Sequence, residues 1–442
     1  MNITKKNIIV IGGGFAGLNF ARKLFNNKFY NVTIVDKNNY NYFTPLLYQV
    51  ATGFLEPGNI SYPFRKLFRG KKIDFRMSGV DFIDTHNNEL YLDDGGRLSY
   101  DYLVFAAGSK TNFFGNESIQ KKSYSLKGID DALYMRNELI KTLEKASIES
   151  DPSKRNKLLT IVIAGGGPTG VEVAGMLAEM KQFIIGKEYP YLDFASAEIY
   201  VIDGTGNLLE PMSEKTHIAA CKELERLKIK VKLNTLVVNY ENDEILLSNG
   251  EIIEAKTLIW AAGVTANTFR GIPTESLGKG KRMLTDSHNL VKGFKNIYAI
   301  GDISLQTSDP NYPNGHPQLA QPAIQQGKML ARNFLNLAKG KPMQDFIYFD
   351  RGDMAIIGRK FAVADLFKHK LHIGGLAGLL AWLFIHVISL VNYNNIIKTL
   401  YNWLIAYLTR DQALRMIFRS EDRENEIERK HADPIIYKSA KA

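Results

Sequence analysis

The run Ile8-Ile9-Val10-Ile11 leads directly into Gly12-Gly13-Gly14-Phe15-Ala16-Gly17. Far downstream the same order recurs, with Thr160-Ile161-Val162-Ile163-Ala164 leading into Gly165-Gly166-Gly167-Pro168-Thr169-Gly170. Each copy reads as a strand, a G-x-G-x-x-G turn and a helix. That context makes the pattern a dinucleotide fingerprint and not a chance glycine cluster. The first glycine permits the tight turn, the second lets backbone approach a pyrophosphate, and the third lets helix and strand pack closely. The pyrophosphate sits on the helix N-terminus, where free N–H groups and the helix dipole favour an anion. The predicted fold class is therefore α/β, built on two Rossmann-type dinucleotide-binding domains. Two such sites in one chain predict two bound dinucleotides, and the simplest use of two is electron transfer between them.

Each unit carries an acid where this fold uses one. Val32-Thr33-Ile34-Val35 ends at Asp36, 19 residues past Gly17, the place of a carboxylate that accepts a ribose 2′-hydroxyl. The second unit's strand Ile199-Tyr200-Val201-Ile202 ends at Asp203, 33 residues past Gly170, and an aromatic-rich insertion from Gly186 to Ala197 accounts for the excess. A carboxylate at 203 welcomes a 2′-hydroxyl and repels a 2′-phosphate, which predicts NADH over NADPH. Both units also close a buried strand on small residues, Phe105-Ala106-Ala107-Gly108 and Trp260-Ala261-Ala262-Gly263, letting backbone lie against a nucleotide. A later strand, Asn296 to Ile300, ends at Gly301-Asp302. The reading divides the chain into a first dinucleotide-binding domain (1–110 with 290–340), a second (156–265) and a C-terminal membrane-anchoring region (341–442).

Composition narrows the function classes. The chain has 442 residues, 45% apolar and 23% charged, enough for two to three domains with a large core. One cysteine, Cys221, excludes internal disulfides, cysteine-rich metal sites and dithiol redox chemistry. Nothing resembles a metal site. The net charge of +10 accompanies no nucleic-acid motif, and anionic cofactors or anionic lipid account for it. Met1 to Lys6 runs straight into the first strand, leaving no room for a signal peptide, so the chain is expected in the cytoplasm or on its membrane face.

The C-terminal region changes character. Ile373 to Val391 is a mostly apolar run of 19 residues, and Ile396 to Leu408 is a second apolar helix. Lys368, His369 and Lys370 precede the pair, and Arg410, Arg415 and Arg419 follow it. The first run is long enough to span a bilayer. Its early glycines, its flanking aromatic and basic residues and the positive-inside trend favour two helices lying in the interface. His386, inside the run, is assigned no chemistry.

In this order the landmarks resemble the type II NADH:quinone oxidoreductases over nearly the whole chain. The match includes both glycine turns, Phe43-Thr44-Pro45-Leu46-Leu47-Tyr48, Trp260-Ala261-Ala262-Gly263, Ala299-Ile300-Gly301-Asp302 and Ala320-Gln321-Pro322-Ala323-Ile324-Gln325-Gln326-Gly327. The resemblance implies FAD in the first fold, NADH in the second and a membrane quinone, menaquinone or ubiquinone, as acceptor. It implies a homodimer attached peripherally to the cytoplasmic side of the cell inner membrane, without proton pumping. FAD would contact Gly12, Gly14, Phe15, Ala16, Gly17, Asp36, Lys37, Thr44, Val80, Ala107, Gly108 and Asp302, the last at the ribityl chain. NADH would contact Gly165, Gly167, Gly170, Asp203, Ala262 and Gly263.

Three residues are the candidate catalytic groups. Glu172 stands near the positive end of the helix after Gly170, where the dipole alone explains a carboxylate; the family pattern places it near nicotinamide and flavin. Gln321 and Gln325, four apart, share a helix face. A neutral amide can donate to a quinone carbonyl without adding charge, and the family pattern puts Gln321 on the quinone side. Capping or core hydrogen bonding explains the same glutamines. Two other readings stay open at this point: a reductase of a small iron protein, and an NADH-responsive flavoprotein sensor without quinone turnover.

Overall fold

Strand β1 (Lys6–Ile11) turns at Gly12 into helix α1 (Phe15–Lys23), and the chain returns through β2 (Tyr30–Asp36), the short helix α2 (Leu47–Ala51), β3 (Ile73–Met77) and β4 (Tyr102–Phe105). The second unit repeats the plan with β5 (Ile161–Ala164), α3 (Pro168–Met180), β6 (Ile199–Ile202), β7 (Lys230–Lys232) and β8 (Thr257–Trp260). Strand β9 (Ile297–Ala299) then goes back to the first sheet, followed by α4 (Ala320–Leu337). This computed structural model describes residues 5–182, 186–192, 197–409 and 414–417. Met1 to Thr4, part of the insertion before Ala197, Arg410 and Arg419 lie outside the described residues.

Two parallel sheets result. The first has the order β9-β4-β1-β2-β3 and the second β7-β6-β5-β8. In the first, Ile8 pairs with Val32 on one side and Tyr102 on the other. Such strands are covered on both faces, which is why they read as unbroken apolar runs; Ile8, Val10, Val104 and Val162 have no exposed surface. An antiparallel pair, Ser109–Thr111 against Val264–Ala266, ties the two units together beside the turns that end β4 and β8.

The last part of the chain is less separable than its composition implies. Strands β10 (Gly352–Ile357), β11 (Phe361–Leu366) and β12 (Leu371–Gly374) form an antiparallel sheet. It lies on α3, so closely that a Cβ at Gly175 would come within 2.3 Å of the Gly358 nitrogen. Helices α5 (Gly375–Ile388) and α6 (Tyr393–Thr409) close over it. Trp382 and Trp403 belong to the same apolar cluster as Val171 and Leu177 of α3.

The apolar run seen in the sequence is therefore split. Ile373 is in β12, paired with Ala364, and α5 has only 14 residues, about 21 Å of helix against the ~30 Å of a hydrocarbon core. No helix among the described residues is long and apolar enough to cross a membrane. Both helices also carry apolar side chains on their outward faces. Leu376, Leu380, Phe384 and Ile388 of α5 and Ile397, Leu400, Leu404 and Leu408 of α6 are exposed. The inner face of α6 carries the polar groups: buried Asn395 donates to the Asn59 and Ser61 carbonyls, and the Ala406 carbonyl accepts from Arg359.

Candidate active site

The two glycine turns have matching geometry. Gly12 and Gly165 have φ of +99° and +114°, and a Cβ on either would meet a carbonyl oxygen of the neighbouring strand end, Ala106 or Ala261, at 2.5 Å. Only glycine fits there. A Cβ at Gly17 or Gly170 would fall 2.0 or 1.9 Å from the oxygen of Gly12 or Gly165, which fixes the close helix–turn packing. Gly14 and Gly167 differ, for a Cβ there meets nothing within 4 Å. Each is an N-cap without a side-chain cap on a helix whose first turn holds no acid. Elsewhere Asn116, Asp151 and Ser213 cap their helices with their own side chains. The open space over uncapped N–H groups is a cradle shaped for a pyrophosphate.

Both acids stand at these turns. Asp36 accepts the Gly13 N–H at 2.7 Å and the Asn38 N–H at 2.8 Å, and burial pushes its carboxyl above the ordinary pKa. Asp203 accepts the Gly166 N–H and, through its other oxygen, the Thr205 N–H and hydroxyl. Each carboxylate thus braces its own glycine loop and sits at the end of the strand beside it. Phe15 and Ala16 begin α1, Lys37 is exposed beyond β2, and Val80 packs beside the cluster containing Val35.

A cleft of about 610 Å³, open to solvent, runs between the units. Thr44, Pro45 and Tyr48 wall it from the first unit, and Thr169, Glu172, Trp260 and Gly263 from the second. Glu172 is buried at 7% exposure, with the Ile356 N–H 3.5 Å from its carboxylate. Removal from water raises its pKa well above that of an ordinary carboxyl, and the Ile356 N–H acts in the opposite sense. The Trp382 indole of α5 lies against the carboxyl. Lys127, on the same cleft, donates to the Ser109 hydroxyl at 3.0 Å, which donates to Asp302 at 2.7 Å. Burial lowers the Lys127 pKa. Lys127 and Trp382 carry no motif signal, whereas Ser109 follows the Phe105-to-Gly108 closure and Tyr48 ends the Phe43-to-Tyr48 segment.

Much of the Ala320-to-Gly327 segment has packing duties. Gln326 accepts the Gly301 N–H at 2.7 Å, and a Cβ at Gly327 would come within 2.3 Å of the Ala16 oxygen. Gln325 exchanges two hydrogen bonds with the backbone of Phe349, at 2.9 and 3.1 Å. Gln321, although on the same helix face, makes no side-chain hydrogen bond among the described residues. It stands in the turn of α4 that abuts Gly301 and Asp302 through Ala323. Ala107 accepts from Asn267, Gly108 has φ of +65°, and Ala262 is exposed in the turn after β8, between Ala261 and Gly263 of the cleft wall.

This chain resembles known proteins along nearly its full length. Residues 6–327 match the pyridine nucleotide-disulphide oxidoreductase family. The type II NADH:quinone oxidoreductase NdhA of Mycobacterium tuberculosis is 32% identical over 92% of this chain and 88% of its own. A type II NADH:quinone oxidoreductase of Haemophilus influenzae is 27% identical over 82% of this chain and 87% of its own. Among solved structures, NDH2 from Plasmodium falciparum in complex with NADH superposes with a TM-score of 0.85 at 22% identity, covering 94% of this chain and 100% of that one, which establishes a common fold. The chain is a member of the pyridine nucleotide-disulphide oxidoreductase family and, within it, of the type II NADH:quinone oxidoreductases.

Proposed function

We propose that this flavoenzyme lies on a lipid surface and carries two electrons from NADH through FAD to a membrane quinone, with the residues of the interdomain cleft in the roles that follow. The observation that carries the reading is the cleft itself, faced by a glycine-turn unit on each side. FAD, when bound, would supply the redox chemistry that accepts hydride from NADH and passes two electrons to quinone. The α1 N-terminus and Gly12, Gly14 and Gly17 hold the FAD pyrophosphate, Asp36 its ribose, and Asp302 the ribityl chain. The α3 N-terminus and Gly165, Gly167 and Gly170 hold NADH, with Asp203 on its ribose. Thr44, Pro45, Ala107, Ala262 and Gly263 fix the approach of the two ring systems, which hydride transfer needs near contact. Glu172, on the cleft wall of the second unit, positions the nicotinamide or handles a proton beside the reacting rings. Gln321 keeps a free amide for a quinone carbonyl, whereas the Gln325 amide is engaged by Phe349.

The outward apolar stripe of α5 and α6 supports attachment to lipid. A helix pair that leaves eight large apolar side chains exposed is unfavourable in water and favourable at an interface. We place it on the cytoplasmic side of the cell inner membrane, in a homodimer, as the resemblance implies. A single-chain mass by sedimentation in detergent would remove the homodimer.

Two outcomes check the residue roles. Gln321→Ala should leave NADH-driven flavin reduction unchanged and slow reoxidation by a quinone up to about tenfold, the worth of one hydrogen bond. Stopped-flow absorbance separates the two steps, and a slowed reduction with untouched reoxidation would reverse the assignment. Asp203→Ala should narrow the ratio of kcat/KM for NADH over NADPH about tenfold, mainly through KM, because repulsion of a 2′-phosphate and acceptance of a 2′-hydroxyl are lost together. Equal use of both coenzymes by the unmodified enzyme would remove that argument.

A further inference from the structure

Helix α6 reaches the cleft through a buried chain of hydrogen bonds. The Trp403 indole N–H donates to Gln49 Oε1 at 2.8 Å, and Gln49 Nε2 donates to the Tyr48 hydroxyl oxygen at 2.9 Å. All three residues are buried, at 4%, 2% and 2% exposure. Trp403 lies on the same face of α6 as Asn395 and Thr399, the residues that dock the helix on Asn59. The opposite face of α6 carries the outward apolar stripe. One helix thus joins the surface from which a lipid-dissolved substrate arrives to a side chain on the wall of the cleft.

The order of donors matters. Gln49 has its oxygen occupied by an N–H donor, so its amide is held with the nitrogen toward Tyr48. The Tyr48 oxygen then accepts, and the phenol's own proton is left to point elsewhere. Burial raises its pKa well above that of an ordinary phenol, so the proton stays on the oxygen. Among the described residues this O–H donates to no acceptor, and such a buried O–H is a donor waiting for a ligand. NADH carries its charge on the Gly165-to-Gly170 side, whereas Tyr48 belongs to the wall that α6 supports. The ligand that fits is an apolar-tailed molecule with a carbonyl oxygen.

We propose that Tyr48 donates a hydrogen bond to the carbonyl of the bound quinone, and that Trp403 and Gln49 are its positioning residues, so that docking of α6 builds part of the quinone site. This rests on the quinone-reductase reading above. The test uses the full chain loaded with FAD, a short-chain quinone, and a non-reducible quinone analogue whose Kd is measured by calorimetry without NADH. Trp403→Phe keeps the ring and removes the N–H. It should weaken the analogue about three- to tenfold and slow reoxidation by the same factor, while NADH-driven reduction and vesicle binding stay unchanged. Tyr48→Phe should do the same, and the double variant should lose no more than Tyr48→Phe alone. Should Trp403→Phe fold poorly, Gln49→Met interrupts the same chain and carries the same expectation. Additive losses, losses confined to NADH-driven reduction, or analogue affinity equal to the unmodified enzyme in Tyr48→Phe would each overturn the inference. If the unmodified enzyme itself neither binds the analogue nor passes electrons to the quinone, the quinone-reductase reading fails instead.

Discussion

Gly167→Val should raise the KM for NADH by at least about 100-fold while the melting temperature and FAD content stay at their unmodified values. Gly167 has φ of −73°, which any residue adopts, and a Cβ there meets no protein atom within 4 Å. A side chain is free to stand in that space, which is the space a pyrophosphate needs. Two charge-assisted hydrogen bonds from backbone N–H groups, each worth roughly 1.5–3 kcal/mol, would be lost, a factor of about 10² to 10⁴ in affinity. Gly14→Val is the counterpart in the first unit and should cost FAD, not NADH. Gly165→Val is the contrasting control: it combines φ of +114° with a Cβ 2.5 Å from the Ala261 oxygen, so it should destabilise the fold outright. Unchanged KM for NADH in a folded Gly167→Val protein would show that the second glycine turn does not hold the coenzyme.

Replacing Leu380, Phe384, Ile397 and Leu404 together by serine should release the protein from lipid vesicles while turnover with a short-chain quinone is kept. These side chains are 60%, 65%, 64% and 57% exposed, so the folded core loses little with them. Full burial of one such side chain contributes about 1.5–3 kcal/mol. Half of that for four residues, about 3–6 kcal/mol, is a factor of roughly 10² to 10⁴ in partition. Deleting the whole region would not isolate the effect, because Trp382 and Trp403 pack in the same cluster as α3 and cover Glu172 and Gln49. Vesicle co-sedimentation measures the result, and a quadruple variant that still pellets with lipid would move the attachment surface elsewhere.

The framework was legible because it depends on local rules. Apolar runs became parallel strands, glycines stood where turns need them, and Asp36 and Asp203 ended the strands beside those turns. The tail was not legible in the same way. Composition cannot tell an apolar helix from an edge strand, so Ile373 reads as part of one apolar run although it pairs in β12. Helical spacing put Gln321 and Gln325 on one face, but the extended segment that engages Gln325 through Phe349 has no periodicity to announce it. His386 read as an unassigned interfacial residue. It stacks on Trp382 with ring centroids 3.8 Å apart, and burial lowers its pKa to about 4, so it is neutral at physiological pH. Lys127 and Ser109 reach Asp302 only through tertiary packing.

The most direct test of the whole account is anaerobic stopped-flow absorbance of the unmodified, FAD-loaded protein, mixed first with NADH and then with a short-chain quinone. The account predicts that NADH bleaches the oxidised-flavin band and that quinone restores it, each step at least as fast as steady-state turnover. A band that NADH bleaches but quinone leaves bleached, or that recovers only with a small iron protein, would contradict it.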